Sequence, residues 1–274
     1  MITVDFKQLK IRPGYRILDI GCGTGRHTSA VFQFKKIAVI GADHNINDLC
    51  ETRNRIQLHE KLGEHGGGRW GLAAADIARL PFKDDVFDLV ICSEVLEHVA
   101  RDDIAASELI RVLKPGHNLV VSVPRYLPER ICWALSKDYT ASNNGHIRIY
   151  RKRKLIRYLE SLGLKRWALH YAHSLHTPYW WLKCLVGPDR EDAAMVNLYH
   201  RFLSWDIMKK PKWVAWVDRL LNPVLGKSLV VYFRKESRHE LRNSGIEGLG
   251  DFKPAQGGSL RPQVAATPRG YRPC

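Results

Sequence analysis

One segment near the N-terminus, RILDIGCGTGRHT at residues 16–28, constrains the fold more than any other. Its first five residues suit a buried strand, and glycines at positions 21, 23 and 25 precede a stretch that favours a helix. Glycine lets the backbone adopt positive φ and lets a ligand approach closely. A strand, a glycine turn and a helix N-terminus in this order predict a ligand-binding loop of a doubly wound α/β fold.

Short apolar runs alternate with longer amphipathic ones along the first 165 residues, a pattern typical of a parallel sheet covered by helices. The sequence predicts strands at 16–20, 37–42, 70–75, 87–92 and 118–123, with helices near 25–34, 46–62, 101–113 and 151–162. Lys114-Pro115-Gly116 predicts a helix stop followed by a turn. Two further strands are predicted at 165–171 and 227–234.

Composition divides the chain into three parts. Residues 1–172 and 227–235 are predicted to form the α/β domain, with residues 173–226 inserted as a helical cap before the last strand. Residues 236–274 are rich in Gly, Pro, Ser and Arg, and we expect them to be disordered.

The spacing of the glycine loop discriminates between ligands. A dinucleotide fingerprint, G-x-G-x-x-G, would need glycine at position 26, where this chain has Arg26. The spacing here is D-x-G-x-G-x-G, and Asp19 before the first glycine suits a ligand with an ammonium group better than a pyrophosphate. The spacing therefore favours a cationic nucleoside as the ligand. A nicotinamide cofactor remains the competing hypothesis.

Two further carboxylates follow the second and third predicted strands. Asp43 ends AVIGAD, where it could accept hydrogen bonds from both hydroxyls of a ribose, and Asp76 could accept from an adenine amino group. An aspartate at a strand end is also a common turn residue. Because parallel strands end at one sheet edge, we expect Asp19, Asp43 and Asp76 to converge there.

Three segments together resemble the motifs of class I S-adenosylmethionine-dependent methyltransferases of the type 11 group: LDIGCGTG, DIARLPFKDDVFDLVICSEVLEHV and RVLKPGHNLVVSVP. The resemblance covers roughly residues 14–165 and implies a Rossmann-like sheet whose last strand, KSLVVYFRK, is antiparallel. It also implies S-adenosyl-L-methionine as cofactor, with its methionine part at Asp19 and the glycine loop, its ribose at Asp43 and its adenine at Asp76 and Ile77. The predicted cofactor-binding residues are Asp19, Gly21, Cys22, Gly23, Gly25, Asp43, His44, Asp76, Ile77 and Ser93. His117 departs from the family pattern, which usually has glycine there.

A second cluster follows the fourth predicted strand. Glu94, Glu97 and His98 share one face if their turn is α-helical, with Val95, Leu96 and Val99 on the other face. Two carboxylates and an imidazole could bind a divalent metal or act as a general base. The pattern resembles ubiquinone-biosynthesis O-methyltransferases and small-RNA 2′-O-methyltransferases, whose acidic–histidine cluster is associated with a metal.

His146 in NNGHIRIY is the downstream histidine that this resemblance would require. Glu94, Glu97, His98 and His146 are therefore the candidate metal ligands, and His98 or His146 is the candidate general base. A purely structural role for the Glu–His pair is favoured over metal binding, because many type 11 members carry such a pair.

The acceptor pocket is expected from the loop 124–146 and the cap 173–226. Aromatic and cationic residues are interleaved in the cap, as in HTPYWWLKCL. This composition is typical of a membrane interface, but tryptophans that cover a core beside solvated lysines would give the same pattern. We therefore expect methyl transfer to oxygen or carbon of a small, lipid-like or prenylated acceptor, with peripheral membrane contact through residues 173–226.

The formal net charge of +15 favours an anionic partner without identifying it. An RNA-directed methyltransferase is a less favoured alternative, carried by the cations between Arg151 and Arg157. The other alternative function is a cofactor-binding scaffold that does not catalyse a reaction.

The first residues lack an apolar signal core, and no apolar run approaches about 18 residues. We expect a cytoplasmic protein that can associate with membranes; the oligomeric state is left open.

Overall fold

A computed structural model describes residues 2–141, 146–187, 190, 193–209 and 211–237, except for the side chains of residues 140 and 141. Seven strands form one sheet in the order β3-β2-β1-β4-β5-β7-β6, with β7 antiparallel to both neighbours and β1–β5 parallel. The strands are β1 (Arg16–Ile20), β2 (Ala38–Asp43), β3 (Arg69–Ala74), β4 (Phe87–Ser93), β5 (Leu113–Pro124), β6 (Leu164–Ala172) and β7 (Ser228–Lys235). The predicted Rossmann-like, mostly parallel sheet with an antiparallel last strand is confirmed.

Helices follow most of the strands. They are α1 (Arg26–Phe32), α2 (Ile46–Lys61), α3 (Asp102–Val112), α4 (Tyr126–Leu135), α5 (Lys137–Ala141), α6 (Lys152–Ser161), α7 (His176–Val186), α8 (Ala194–Lys209) and α9 (Lys212–Leu225). Short 3₁₀ turns cover Phe6–Gln8 and Leu96–His98.

The sheet is buried on both faces because its central strands consist almost entirely of apolar residues. Val90 of β4 and Val121 of β5 pack into the cluster on one face, and Ile91 and Val120 pack into the cluster on the other. A strand without an alternating polar face can be stable only between two layers, which is why helices cover both sides. The carboxyl ends of β1–β5 consequently meet at one edge.

Two local expectations are wrong. The predicted helix stop agrees with the end of α3 at Val112, but the predicted turn at Lys114-Pro115-Gly116 is an irregularity inside β5. Phe87 of β4 pairs with Leu113, and the next pair of these two strands is Leu89 with Asn118. Gly116 permits this irregularity with a φ of 75°, and the Lys114 ammonium binds Asp88 Oδ1 at 2.7 Å. The predicted loop 124–146 instead contains the helices α4 and α5. Residues 142–145 lie outside the described residues.

The predicted helical cap corresponds to α7, α8 and α9, which lie between β6 and β7. Both β5 and β6 run antiparallel to β7, so the cap leaves the sheet at the edge where the glycine loop lies. Its first residues are held by Asp218, which accepts hydrogen bonds from the Ser174 hydroxyl at 2.7 Å and the Leu175 N–H at 3.2 Å. Most of the predicted tail, from residue 238 onward, lies outside the described residues.

In the described part of the chain, none of the helices has the length and apolarity that a membrane crossing requires.

Two histidines bind the N-terminal segment: His27 lies on α1, and His173 directly follows β6. His27 Nε2 accepts from the Thr3 N–H at 3.0 Å, and His173 Nε2 lies 3.2 Å from the Thr3 hydroxyl. Burial lowers the pKa of His27 to about 4 and the pKa of His173 to about 3. Both imidazoles are therefore neutral in the folded protein at pH 7.

The unfolding free energy should consequently depend on these two residues in acid. In the unfolded chain these histidines become protonated below pH 6.5, their ordinary pKa. In the folded chain His27 becomes protonated only near pH 4. Stability is thus complete above pH 6.5 and falls as pH decreases, by up to about 2 kcal/mol for each histidine at about pH 5. Denaturant unfolding at pH 7 and 5 measures the loss. A His27→Gln/His173→Gln variant should lose less between these pH values, whereas the exposed control His200→Gln should behave like wild type. Equal losses in all three proteins would contradict this account.

Candidate active site

The glycine loop connects β1 to α1 in a conformation that only glycine adopts readily. Gly21 and Gly23 have φ angles of 67° and 50°. A Cβ on Gly21 would lie 2.2 Å from the Val95 side chain, whereas a Cβ on Gly23 would meet no atom within 4 Å. Gly21 is therefore needed for packing, and Gly23 keeps the open side of the loop clear for a ligand.

Asp43 links the end of β2 to this loop. Its Oδ2 accepts from the Gly23 N–H at 2.8 Å, and its Oδ1 accepts from the Asn45 N–H at 2.9 Å. Each carboxylate oxygen can accept a second hydrogen bond, so ligand hydroxyls can still be bound. His44 Nδ1 lies 3.3 Å from Asp43 Oδ1, with its side chain 88% exposed beside the loop.

Asp19 lies beneath the loop and is only 1% exposed. Its Oδ2 accepts from the Thr28 hydroxyl at 2.6 Å. Burial, with a smaller contribution from the nearby Asp43 charge, raises the pKa of Asp19 to about 7 against the opposing effect of the Thr28 hydrogen bonds. The ionised form would be stabilised by a cation placed against the loop.

The other predicted cofactor-binding residues lie at the ends of neighbouring strands of the same sheet. Asp76 is exposed after β3, with Oδ1 accepting from the Ala78 N–H at 2.9 Å, and Ile77 beside it is buried. The Ser93 hydroxyl at the end of β4 lies 2.8 Å from that of Ser122. Burial raises the pKa of the Cys22 thiol, which keeps it neutral. All of these residues follow β1–β4 at one edge of the sheet.

The Glu94–His98 segment differs from the predicted α-helical face. Glu94 has a φ of 57°, and only Leu96–His98 forms a short 3₁₀ helix. Leu96 and Glu97, predicted on opposite faces, are both buried, while the His98 side chain is 40% exposed. A 3₁₀ turn has three residues per turn, so the i, i+3, i+4 face of an α-helix does not form.

The carboxylates of this segment lie in a low-dielectric environment. Glu94 Oε1 accepts from the Ser122 hydroxyl at 3.0 Å, and burial raises the pKa of Glu94. Burial, followed by the Glu94 charge, raises the pKa of Glu97 well above its usual value. Among the described residues, neither oxygen of Glu97 has a hydrogen-bond partner.

His146, from a distant part of the chain, lies next to His98 and Glu97. Its ring centroid lies 4.9 Å from that of His98, and ligand atoms of Glu97, His98 and His146 lie within 4.8 Å of one another. The structure thus brings together three of the four predicted metal ligands. Glu94, hydrogen-bonded to Ser122, is not one of them.

Glu129 on α4 is a further member of the cluster that the sequence analysis missed. Its Oε1 binds His146 Nδ1 in a short hydrogen bond and accepts from the Trp133 indole N–H at 3.2 Å. Burial alone would raise the pKa of Glu129, but the His146 hydrogen bond and charge hold it below its usual value. Glu129 therefore orients the imidazole of His146 and leaves Nε2 available.

Comparison with known proteins decides the family. Residues 5–169 match the profile described as "Methyltransferase domain". The chain belongs to the methyltransferase domain family. S-adenosylmethionine is the cofactor of this family, and the chain is an S-adenosylmethionine-dependent methyltransferase. The matched residues 5–169 include β1–β5 and most of β6, whereas β7 follows outside the matched range.

Two similar proteins are named as methyltransferases of demethylmenaquinone and cycloartenol. The chain is 35% identical over 143 residues to demethylmenaquinone methyltransferase of Parafrankia sp. (strain EAN1pec), covering 48% of this chain and 56% of that protein. It is 30% identical over 142 residues to cycloartenol-C-24-methyltransferase 1 of Oryza sativa subsp. japonica, covering 52% and 37%. The chain thus matches about half or less of these relatives' lengths.

A solved structure supports the fold. The YcgJ protein of Bacillus subtilis superposes with a TM-score of 0.53 at 18% identity, covering 85% of this chain and 96% of that one. At this identity, the likeness concerns the fold alone.

The proposed role of Gly23 in cofactor binding can be tested by comparing an alanine variant at Gly23 with one at Gly14, a glycine far from the loop. Gly23→Ala and Gly14→Ala both introduce a side chain at positive φ with no atom within 4 Å. Each should therefore lower the unfolding free energy by about 1 to 2 kcal/mol. Only Gly23→Ala should weaken S-adenosylhomocysteine binding, measured by calorimetry, because Gly14 precedes β1 at the opposite edge of the sheet. Equal affinities for the two variants would show that the open side of Gly23 does not face the cofactor.

Proposed function

We propose that the chain transfers the methyl group of S-adenosylmethionine to an oxygen or carbon atom of a small, lipid-like acceptor. The position of the Glu97–His98–His146 cluster carries this proposal. Val95, two residues before Glu97, lies so close to the glycine loop that a Cβ on Gly21 would be 2.2 Å from its side chain. An acceptor held at the cluster would therefore lie next to a cofactor held at the loop, and proximity contributes much of the catalysis in a transfer reaction.

The cofactor site is proposed to use the residues at the carboxyl ends of β1–β4. Asp43 would accept from the ribose hydroxyls, and Asp76 with Ile77 would hold the adenine. Asp19, Gly21, Cys22, Gly23 and Gly25 would hold the methionine part, with His44 and Ser93 at its borders. When bound, S-adenosylmethionine supplies an activated methyl group. The chain's own contribution is to align the acceptor and remove its proton.

His146 is proposed to remove that proton. Glu129 holds Nδ1, so Nε2 is the atom that can accept. A buried carboxylate behind an imidazole fixes its orientation and stabilises the charged form after proton transfer. His98 is the alternative base, because its ring contacts His146 and is more exposed.

The proposed acceptor is lipid-like because the two relatives described above are named for menaquinone and sterol chemistry. We also propose that residues 1–172 with 227–235 form the catalytic domain, and that the inserted residues 173–226 cap the acceptor site and bring it to a membrane surface. The cap is connected to the site because α7 packs against α4, the helix that carries Glu129. RNA-directed transfer and a non-catalytic scaffold are the alternatives.

A labelling experiment tests the proposed function directly. The chain is incubated with S-adenosylmethionine carrying a labelled methyl group, together with a lipid extract or with total RNA. We expect label in the organic phase of the lipid reaction. Label confined to RNA would replace the lipid-like acceptor with the alternative, and cofactor binding without label in either fraction would favour a scaffold.

Replacement of the candidate bases should separate catalysis from binding. His146→Ala should lower kcat by about 100- to 10,000-fold, the usual contribution of a general base. The affinity for S-adenosylhomocysteine should stay near wild type, because His146 is not among the proposed cofactor residues. Activity should persist in a metal chelator. Activity that a chelator abolishes and a divalent cation restores would favour a metal at Glu97, His98 and His146 over direct proton removal.

Cofactor binding should be coupled to proton release from Asp19. With a pKa of about 7, Asp19 is roughly half protonated at neutral pH, and a bound cation lowers this pKa. Calorimetry at pH 7 in buffers of different ionisation enthalpy should therefore report release of about half a proton per S-adenosylmethionine bound. Asp19→Asn should bind more weakly and show correspondingly less release. An identical proton count in both proteins would mean that Asp19 does not respond to the cofactor.

A further inference from the structure

The outer surface of the cap carries large apolar side chains in regular stripes. On α9, Trp213, Trp216, Leu220 and Val224 are between 60% and 67% exposed. They are spaced by three or four residues and therefore share one face of the helix. Val214, on the opposite side, is buried and fixes the orientation of α9.

Helix α8 carries a second stripe that joins the first. Met195, Leu198 and Trp205 are exposed at helical spacing, and Met208 is 79% exposed near the end of the helix. The Trp205 and Trp213 rings lie 6.2 Å apart, so the two stripes form one surface. We call this surface the cap face: Met195, Leu198, Trp205, Met208, Trp213, Trp216, Leu220 and Val224.

Cations accompany the cap face. Arg201, Lys209, Lys212 and Arg219 are exposed on the same two helices. Lys212 lies four residues before Trp216 and Arg219 three residues after it, so both border the stripe. Among the described residues of α8 and α9, the only carboxylates are Asp206 and Asp218. Asp218 is bound to Ser174 and Asn222 at the base of the cap.

Exposed apolar surface of this extent is uncommon on a protein surrounded only by water and marks an interaction site. Tryptophan rings with adjacent lysine and arginine are the composition that suits the headgroup layer of a bilayer. We infer that the cap face binds the surface of a bilayer containing anionic phospholipid. This inference rests on the membrane contact proposed above and specifies the face and the lipid charge.

Docking in this orientation has a consequence for the acceptor. The tryptophan rings would lie at headgroup depth, and the cations would contact lipid phosphates. Helix α7 packs against both α8 and α4, so the docked face and the helix that carries Glu129 belong to one packed unit. A lipid-like acceptor could then reach the site without crossing bulk water.

Co-sedimentation of the full chain with lipid vesicles tests the inference, without cofactor or acceptor present. One vesicle is phosphatidylcholine alone, and the other contains equal parts of phosphatidylcholine and phosphatidylglycerol. We expect binding to the second vesicle, weakened by salt, and little binding to the first. Trp213→Ala/Trp216→Ala should reduce the partition coefficient by about tenfold or more, since two exposed rings lose their burial in lipid. Trp167→Ala is the matched control, because Trp167 is an exposed indole on β6 away from the cap.

A second variant keeps the test independent of the tryptophans. Lys212→Gln/Arg219→Gln should weaken binding to anionic vesicles by about thirtyfold, because each cation near the surface contributes roughly 1 kcal/mol. Thermal unfolding midpoints and S-adenosylhomocysteine affinities should match wild type, because the substituted side chains are exposed.

Wild-type chain that stays in the supernatant with both vesicles would overturn the inference. So would a dimer in sedimentation velocity that Trp213→Ala/Trp216→Ala dissociates, since the cap face would then bind a second copy. Failure of the proposed acceptor is distinguishable, because it would appear as unlabelled lipid while vesicle binding persisted.

Discussion

The hydrogen bond from the Gly23 N–H to Asp43 Oδ2 is the contact on which the arrangement of the site depends. It joins the glycine loop after β1 to the end of β2, and the other oxygen of Asp43 accepts from the start of α2. Three backbone segments are thereby held by one carboxylate at the carboxyl edge of the sheet. Such donors and acceptors are oriented before a ligand arrives, which reduces the reorganisation that binding requires.

The same edge concentrates buried carboxylates. Burial raises the pKa of Asp19, Glu94 and Glu97, so each is more costly to ionise than an exposed acid. Cores avoid such groups unless they are paired or functional. Burial opposes the ionisation of Glu129 as well, but its pKa is lowered overall because His146 is hydrogen-bonded to it. These acids fit a site that holds a cationic cofactor on one side and a proton acceptor on the other.

Sequence reasoning recovered the sheet because its strands are uninterrupted apolar runs, as strands covered on both faces must be. The three alternating glycines located the loop between β1 and α1, and the strand pattern placed Asp43 and Asp76 at the same edge of the sheet. The irregularity in β5 was missed because Lys114-Pro115-Gly116 has the composition of a turn. Glu129 was missed because α4 lies in a segment taken as a loop, and its contact with His146 joins residues 17 positions apart through tertiary packing. Glu94 was wrongly grouped with Glu97 and His98 because five residues of sequence do not distinguish a 3₁₀ turn from an α-helix.

The most direct test of the central claim is a crystal structure of the chain with S-adenosylhomocysteine. Both ribose hydroxyls should lie within hydrogen-bond distance of the Asp43 carboxylate while the Gly23 N–H contact persists. The adenine should lie beside Ile77, and the amino acid part should lie over the open side of Gly23. A nucleoside bound away from these residues, or an Asp43 that still faces only Gly23 and Asn45, would contradict the account.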